Sequence, residues 1–186
     1  MKKCAVKTWG ILLANAARFS EDTMKLTNSI IAAGVLLIFG ANAWADSGTI
    51  ESVTSLTGDF TTMEHLDGTV TIGNQKGTST IIKSSGGPFV EGQSTNYQCL
   101  AYIRKTSEGF GLESSCTATY ASGEKTFMRA SRKIGDIEAG GGGEGVTMFV
   151  GGTGRFEGIT GRCTYTIDYL ADNEMVSKAK CNWQLP

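Results

Sequence analysis

The placement of the last four cysteines constrains this chain more than any other feature of its sequence. They form two pairs, separated by 17 and 18 residues, and a polar, turn-like segment lies midway within each pair. The pairs are Cys99 with Cys116 and Cys163 with Cys181. Residues at equal distances from a hairpin turn face one another across the two strands. Both pairs therefore predict disulfides within β-hairpins, one of the three pairings that four cysteines allow.

A zinc site is the alternative use of four thiolates. No CxxC pair occurs in the sequence, however, and His65 is the only histidine. The spacing thus favours two disulfides, and neither a metal nor another cofactor is expected.

An export signal is predicted before these cysteines. An apolar run from Ile30 to Phe39 is followed by Ala43-Trp44-Ala45, the small-x-small pattern that signal peptidase cleaves. Residues 1–45 are interpreted as a leader with Met24 favoured as its true start, and a longer basic n-region from Met1 is the alternative. The apolar run is shorter than a membrane span of about 20 residues, so no stable membrane anchor is expected. The protein should be exported, to the periplasm or outside the cell, where disulfides persist.

The remaining residues, 46–186, have a length typical of one domain. They carry 12 Lys or Arg and 16 Asp or Glu, a net charge near −4, and no basic run stands out. Binding to nucleic acid depends on neutralising phosphates with basic side chains, so nucleic acid is not an expected partner.

The pattern after residue 46 is that of an all-β protein. Helix signals are nearly absent, and short runs of β-branched and aromatic residues alternate with Gly, Asn and Ser. Such spacing is typical of a barrel or a sandwich. The predicted strands are 48–56, 67–73, 78–84, 96–105, 110–120, 125–133, 145–150, 162–170 and 176–184. A flexible loop is predicted at Gly140–Gly143.

Side-chain alternation places the cysteines on the inner face, together with several aromatic rings. The inward candidates for a ligand-binding site are Tyr97, Tyr120, Tyr165, Tyr169 and Trp183. Solid packing of a small barrel is the favoured interpretation of these rings, and a lined pocket is the alternative. By the same alternation Glu113 and Asp168 point outward, so no pair of carboxylates can be placed inside.

A glycine-rich segment precedes Cys163 and reads GGTGRFEGITG. Gly151, Gly152, Gly154 and Gly161 are interpreted as a structural turn, because glycine allows the positive φ angles and tight corners that barrels need. A phosphate-binding loop would require a helix to follow. The next residues have a strand pattern instead.

This GGTG-x-F-x-x-x-x-G pattern resembles the allene oxide cyclase and dirigent superfamily, and above all bacterial exported proteins with an allene oxide cyclase barrel-like domain. The match covers the 11 residues from Gly151 to Gly161. The resemblance implies a single antiparallel eight-stranded, calyx-like β-barrel over residues 46–186, with a central cavity, and often an oligomer. Plant relatives steer a cyclisation or a stereoselective radical coupling. Their catalytic carboxylates and polar pocket residues cannot be matched onto this chain, so the resemblance implies the fold and not the activity.

No catalytic residue is assigned from the sequence. His65 lies in a turn-like stretch, and no GxSxG nucleophile elbow occurs. The sequence therefore favours a non-catalytic binding or interaction protein for a small hydrophobic ligand or a protein partner. The alternative is an enzyme of the cyclase or dirigent type, such as an allene oxide cyclase-like isomerase, acting on a hydrophobic, oxygenated substrate. That enzyme would need an ionisable group inside the barrel.

Overall fold

The computed structural model describes residues 46–132 and 143–186. The predicted leader, residues 1–45, lies outside the described residues, as does most of the loop predicted at Gly140–Gly143. Within the described ranges, no helix has both the length and the apolar character needed to cross a lipid bilayer.

The described residues form a closed barrel of eight antiparallel strands, in which each strand pairs with its neighbours in sequence and β1 pairs with β8. The strands are β1 (Ser47–His65), β2 (Gly68–Ser84), β3 (Ser94–Thr106), β4 (Gly109–Thr119), β5 (Lys125–Arg132), β6 (Gly143–Gly152), β7 (Thr160–Tyr169) and β8 (Glu174–Gln184). This confirms the all-β, eight-stranded barrel. Closure joins the two outer strands of the sheet, which removes the edges that an open sheet would expose.

Two of the nine predicted strands are in fact one. The segments 67–73 and 78–84 both belong to β2, which pairs without interruption through Gln75 with β1 and β3. The polar run Asn74–Gly77 separates the two predicted segments in the sequence. In the barrel, alternation leaves Lys76 exposed and buries Gln75 in the interior. β1 is also longer than predicted, so that His65 is its last residue and not part of a turn.

The two predicted disulfides are present. Cys99 lies directly opposite Cys116 in the β3–β4 pair, with a Cα–Cα distance of 4.1 Å. Cys163 lies opposite Cys181 in the β7–β8 pair, at 3.9 Å. All four sulfur atoms face the interior, and all are consumed by the disulfides, so none is a free thiolate for zinc.

One end of the barrel, where β4, β6 and β8 finish, is filled by aromatic rings. We call this group the aromatic floor; its members are Phe89, Tyr120, Phe149, Phe156 and Trp183. The rings of Tyr120 and Phe156 stack at 4.4 Å between centroids, and Phe89 lies 5.6 Å from Trp183. Burial of these rings removes a large apolar area from water and closes this end of the cavity.

The glycine-rich segment forms the corner between β6 and β7, as predicted. It contains a 3-10 turn at Gly154–Phe156, and the φ angles of Gly151, Gly154 and Gly161 are all positive. At Gly161 a Cβ atom would also lie 2.2 Å from the carbonyl oxygen of Asn182. The corner delivers Phe156 into the aromatic floor, which is the structural role of this segment.

Glu124 fastens this corner to the neighbouring β4–β5 loop. Its carboxylate accepts hydrogen bonds from the backbone N–H of Arg155 at 2.8 Å and from the hydroxyl of Ser122 at 2.8 Å. It also pairs with the Arg155 guanidinium, at 3.0 Å between Oε2 and Nη1. The backbone hydrogen bond, with the Ser122 hydroxyl next, lowers the pKa of Glu124 below its usual value.

We expect Glu124→Gln to destabilise the barrel more at pH 7 than at pH 3. The folded-state pKa is depressed, so the stabilisation is present above the unfolded pKa near 4.5 and is lost as the pH falls through the folded value. Urea unfolding at both pH values measures the difference. Glu157→Gln, an exposed acid in the same corner, is the control and should show no such pH dependence. Equal losses for Glu124→Gln at both pH values would contradict the ionic role.

Candidate ligand-binding site

A cavity of about 110 Å³ lies inside the barrel and is lined by inward-facing side chains from all eight strands. A single water needs roughly 10–15 Å³ on this measure, and an engineered apolar cavity of about 150 Å³ binds benzene. The interior is therefore not packed solid. It has room for a compact organic molecule of about the size of one aromatic ring.

Four of the five aromatic residues predicted for the site line this cavity. They are Tyr97, Tyr120, Tyr165 and Tyr169. Trp183 is inward and 2% exposed, but it packs in the aromatic floor behind Phe89 and does not line the cavity. The floor rings that border the cavity are those of Phe89, Tyr120 and Phe149, and the sequence analysis singled out neither Phe89 nor Phe149.

Room for Tyr165 is provided by a glycine on the adjacent strand. Tyr165 lies directly opposite Gly145, and a Cβ atom there would be 2.4 Å from the phenolic oxygen. The ring therefore lies flat across β6, with its hydroxyl held at the barrel wall. Any side chain at position 145 would push this ring into the cavity.

Burial keeps the tyrosine hydroxyls protonated. It raises the pKa of Tyr165 to about 12, against the opposing charge of Arg132, and that of Tyr120 to about 12. Burial also raises the pKa of Tyr97, further than for the other two. At neutral pH these groups are neutral phenols, which donate and accept hydrogen bonds and do not act as phenolate bases.

The polar groups of the lining are incompletely used by the protein itself. The Tyr97 hydroxyl contacts the Met128 sulfur at 3.8 Å, and the Gln75 amide contacts the Met175 sulfur at 3.5 Å. Thioether sulfur is a weak acceptor. Both groups therefore retain hydrogen-bonding capacity for a molecule in the cavity.

An arginine that the sequence analysis missed lies inside the barrel. Arg132 is the last residue of β5, at the end opposite the aromatic floor; it lines the cavity and is only 5% exposed. Its Nη1 donates a hydrogen bond to the Tyr169 hydroxyl at 3.3 Å. Among the described residues, none accepts a hydrogen bond from its Nε or Nη2 atoms, which are fully buried.

Arg132 makes the cavity electrostatically positive. The described residues lining the cavity include no Asp, Glu, His or Lys, so the guanidinium is its single formal charge. A buried donor without an acceptor costs about 1–3 kcal/mol, and more when it is charged. Such a group in a folded protein calls for an explanation other than stability.

The described histidine and the two acids that alternation places on the outer face do not line the cavity. His65 is exposed at the end of β1. Glu113 and Asp168 are exposed on the outer face, as predicted. Within residues 46–132 and 143–186, no three His, Cys, Asp or Glu side chains are grouped as they would be around a metal ion. An arginine side chain has donors and no acceptor atom, so Arg132 does not supply a general base.

No protein-family model matches this chain, and no curated protein matches it either. A solved structure of a pterocarpan synthase dirigent protein is similar to it, with 14% sequence identity, a TM-score of 0.48, and coverage of 76% of this chain and 91% of that chain. That protein carries the name of the superfamily that the glycine-rich corner resembles. At this identity and score, the likeness assigns neither an activity nor a substrate to the present chain.

Proposed function

We propose that this barrel is an exported binding protein that holds a small, largely apolar molecule in its central cavity without transforming it. The observation that carries the proposal is a cavity bordered by phenols, aliphatic groups and the two disulfides, with hydrogen-bonding groups left free. Pockets of this composition bind small molecules through apolar burial and a few oriented polar contacts. Burial keeps the phenols of Tyr97 and Tyr165 protonated, and the described residues of the lining include no carboxylate, so these residues supply no general base near neutral pH.

A cyclase- or dirigent-type enzyme is the second candidate, and Arg132 is the observation that favours it. Such an enzyme needs an ionisable group inside the barrel, and a buried guanidinium can stabilise negative charge that develops on a substrate. Binding by itself requires no such charge development. Conversion of a bound compound into a product, detected by mass spectrometry, would favour the enzyme over the binding protein.

Filling the cavity should abolish ligand binding. We expect Ser114→Leu, which places a larger side chain in the cavity, to reduce binding of benzyl alcohol at least tenfold because the ligand and the new side chain compete for the same volume. Ser115→Leu, the same change on the outer face of β4, is the matched control and should bind as the unaltered protein does. Chemical-shift titration measures both affinities. Equal binding by the two variants would place the ligand outside the barrel.

Export is proposed from the leader pattern and from the two disulfides, which persist in oxidising compartments. The exported protein should begin at Asp46, after removal of residues 1–45. Intact-mass analysis of the protein recovered from the periplasm or medium measures this terminus. Retention of Met24 to Phe39 would contradict cleavage. The resemblance also implies a homo-oligomer, and this stays a prediction. The molecular mass of the same exported protein in solution would test it.

A further inference from the structure

We infer that the ligand of this barrel carries a carboxylate, and that Arg132 binds that carboxylate through its two unpartnered nitrogens. The inference rests on the proposed binding function and adds the chemical class of the ligand.

The free donors of Arg132 are on one edge of its guanidinium group. Nη1 is engaged by the Tyr169 hydroxyl, and the atoms without an acceptor among the described residues are Nε and Nη2. The N–H bonds of Nε and Nη2 point in parallel from the same edge of the planar group. Two parallel donors match the two oxygens of a carboxylate, which accepts such a fork in a bidentate arrangement.

The hydroxyl of Tyr169 holds Nη1, the guanidinium nitrogen outside this edge. Its oxygen accepts the hydrogen bond from Nη1, which leaves Nε and Nη2 available to another acceptor. Tyr169 is also the most exposed of the cavity tyrosines, at 36%, which places this group toward solvent at the end opposite the aromatic floor.

The apolar part of the ligand would then extend from Arg132 toward the aromatic floor. Between these two ends the lining includes Met128, Tyr97 and the Cys99–Cys116 disulfide. With a volume of about 110 Å³, the cavity suits the apolar part of an aromatic or short branched carboxylic acid. Both free nitrogens are sealed from water, so the anion reaches them only when side chains at this end shift, and association should be slower than diffusion.

Benzoate and benzyl alcohol test the inference, because they share a ring and differ in the carboxylate. We expect the unaltered protein to bind benzoate at least tenfold more tightly than benzyl alcohol. Arg132→Met should remove that preference by weakening benzoate binding alone. Arg132→Lys should retain only part of the preference, because lysine keeps the positive charge but does not present two parallel donors. Arg129→Met, on the exposed face of the same strand, is the matched control and should leave both affinities unchanged.

NMR spectra of the arginine Nε–H groups in the unaltered protein report directly on contact between the ligand and Arg132. The Arg132 signal is assigned by its absence from the spectrum of Arg132→Lys. That signal should shift on addition of benzoate and stay in place with benzyl alcohol, which keeps the test decisive if Arg132→Met fails to fold. Binding of both probes with equal affinity, or benzoate binding that survives Arg132→Met, would overturn the carboxylate and leave the binding function standing. Binding of neither probe to the unaltered protein would overturn both proposals.

Discussion

Replacing all four disulfide cysteines with alanine is expected to lower the free energy of unfolding by about 6 kcal/mol. Each disulfide closes a loop, with sequence separations of 17 and 18 residues. A closed loop of this length contributes about 3 kcal/mol by restricting the unfolded chain. Small domains have a total stability of about 5–15 kcal/mol, so the variant should lose a large share of its stability.

The two disulfides should contribute nearly equal and additive amounts. Cys99→Ala with Cys116→Ala, and Cys163→Ala with Cys181→Ala, should each cost about 3 kcal/mol in urea unfolding. Thr164→Ala with Lys180→Ala is the control, because these residues form the next directly opposed pair but are exposed on the outer face. That control should change stability by less than about 0.5 kcal/mol. A total loss below about 2 kcal/mol for the four-cysteine variant would contradict the entropic contribution.

The hairpins were predictable because their information is local. Each cysteine pair is placed symmetrically about one turn, which fixes the register of two strands without reference to the rest of the chain. The pairs are Cys99 with Cys116 and Cys163 with Cys181. Alternation from those registers then gives the inner and outer faces, since neighbouring side chains on a strand point to opposite sides. Tyr97 and Leu100 illustrate the result, one lining the cavity and the other exposed at 62%.

Arg132 was missed although the same rule locates it. Thr126, Met128, Ala130 and Arg132 alternate along β5, and all four line the cavity. Charged side chains are almost never fully buried without a partner, so an arginine on a barrel strand is expected to point to the outer face. The periodicity of the strand was therefore a better guide than the chemistry of the residue. An arginine that alternates in phase with inward-facing neighbours on a strand is therefore a sequence signal for a buried guanidinium.

The closed end of the cavity was beyond prediction because it depends on loops. Phe89 follows β2 in the loop to β3, and Phe156 sits in the glycine-rich corner, with no periodicity to set their direction. Their rings meet only because the barrel closes and brings these loops together. For the same reason Trp183, inward by alternation, was expected to line the cavity, whereas it lies behind Phe89.

Removing the ring of Phe156 is the second large effect expected. Phe156→Ala should lower the free energy of unfolding by about 3–5 kcal/mol, the cost of deleting a buried phenylalanine ring from a packed core. The side chain is 0% exposed, stacks on Tyr120 and lies 5.2 Å from Phe89 between ring centroids. The Arg155 guanidinium, 4.8 Å above the ring, loses a cation–π contact as well.

The same substitution tests whether the aromatic floor shapes the cavity. Phe156 does not line the cavity itself, but it supports Tyr120 and Phe89, which do. Without that support the two rings should relax toward the vacated space, so that a bulkier analogue of benzyl alcohol gains affinity relative to benzyl alcohol. Phe127→Ala, on the outer face of β5, is the matched control and should cost less than about 1 kcal/mol without altering this preference. Stability lost with an unchanged ligand preference would show that the floor closes the barrel without defining the cavity, and the size of the ligand would then be set by the strands alone.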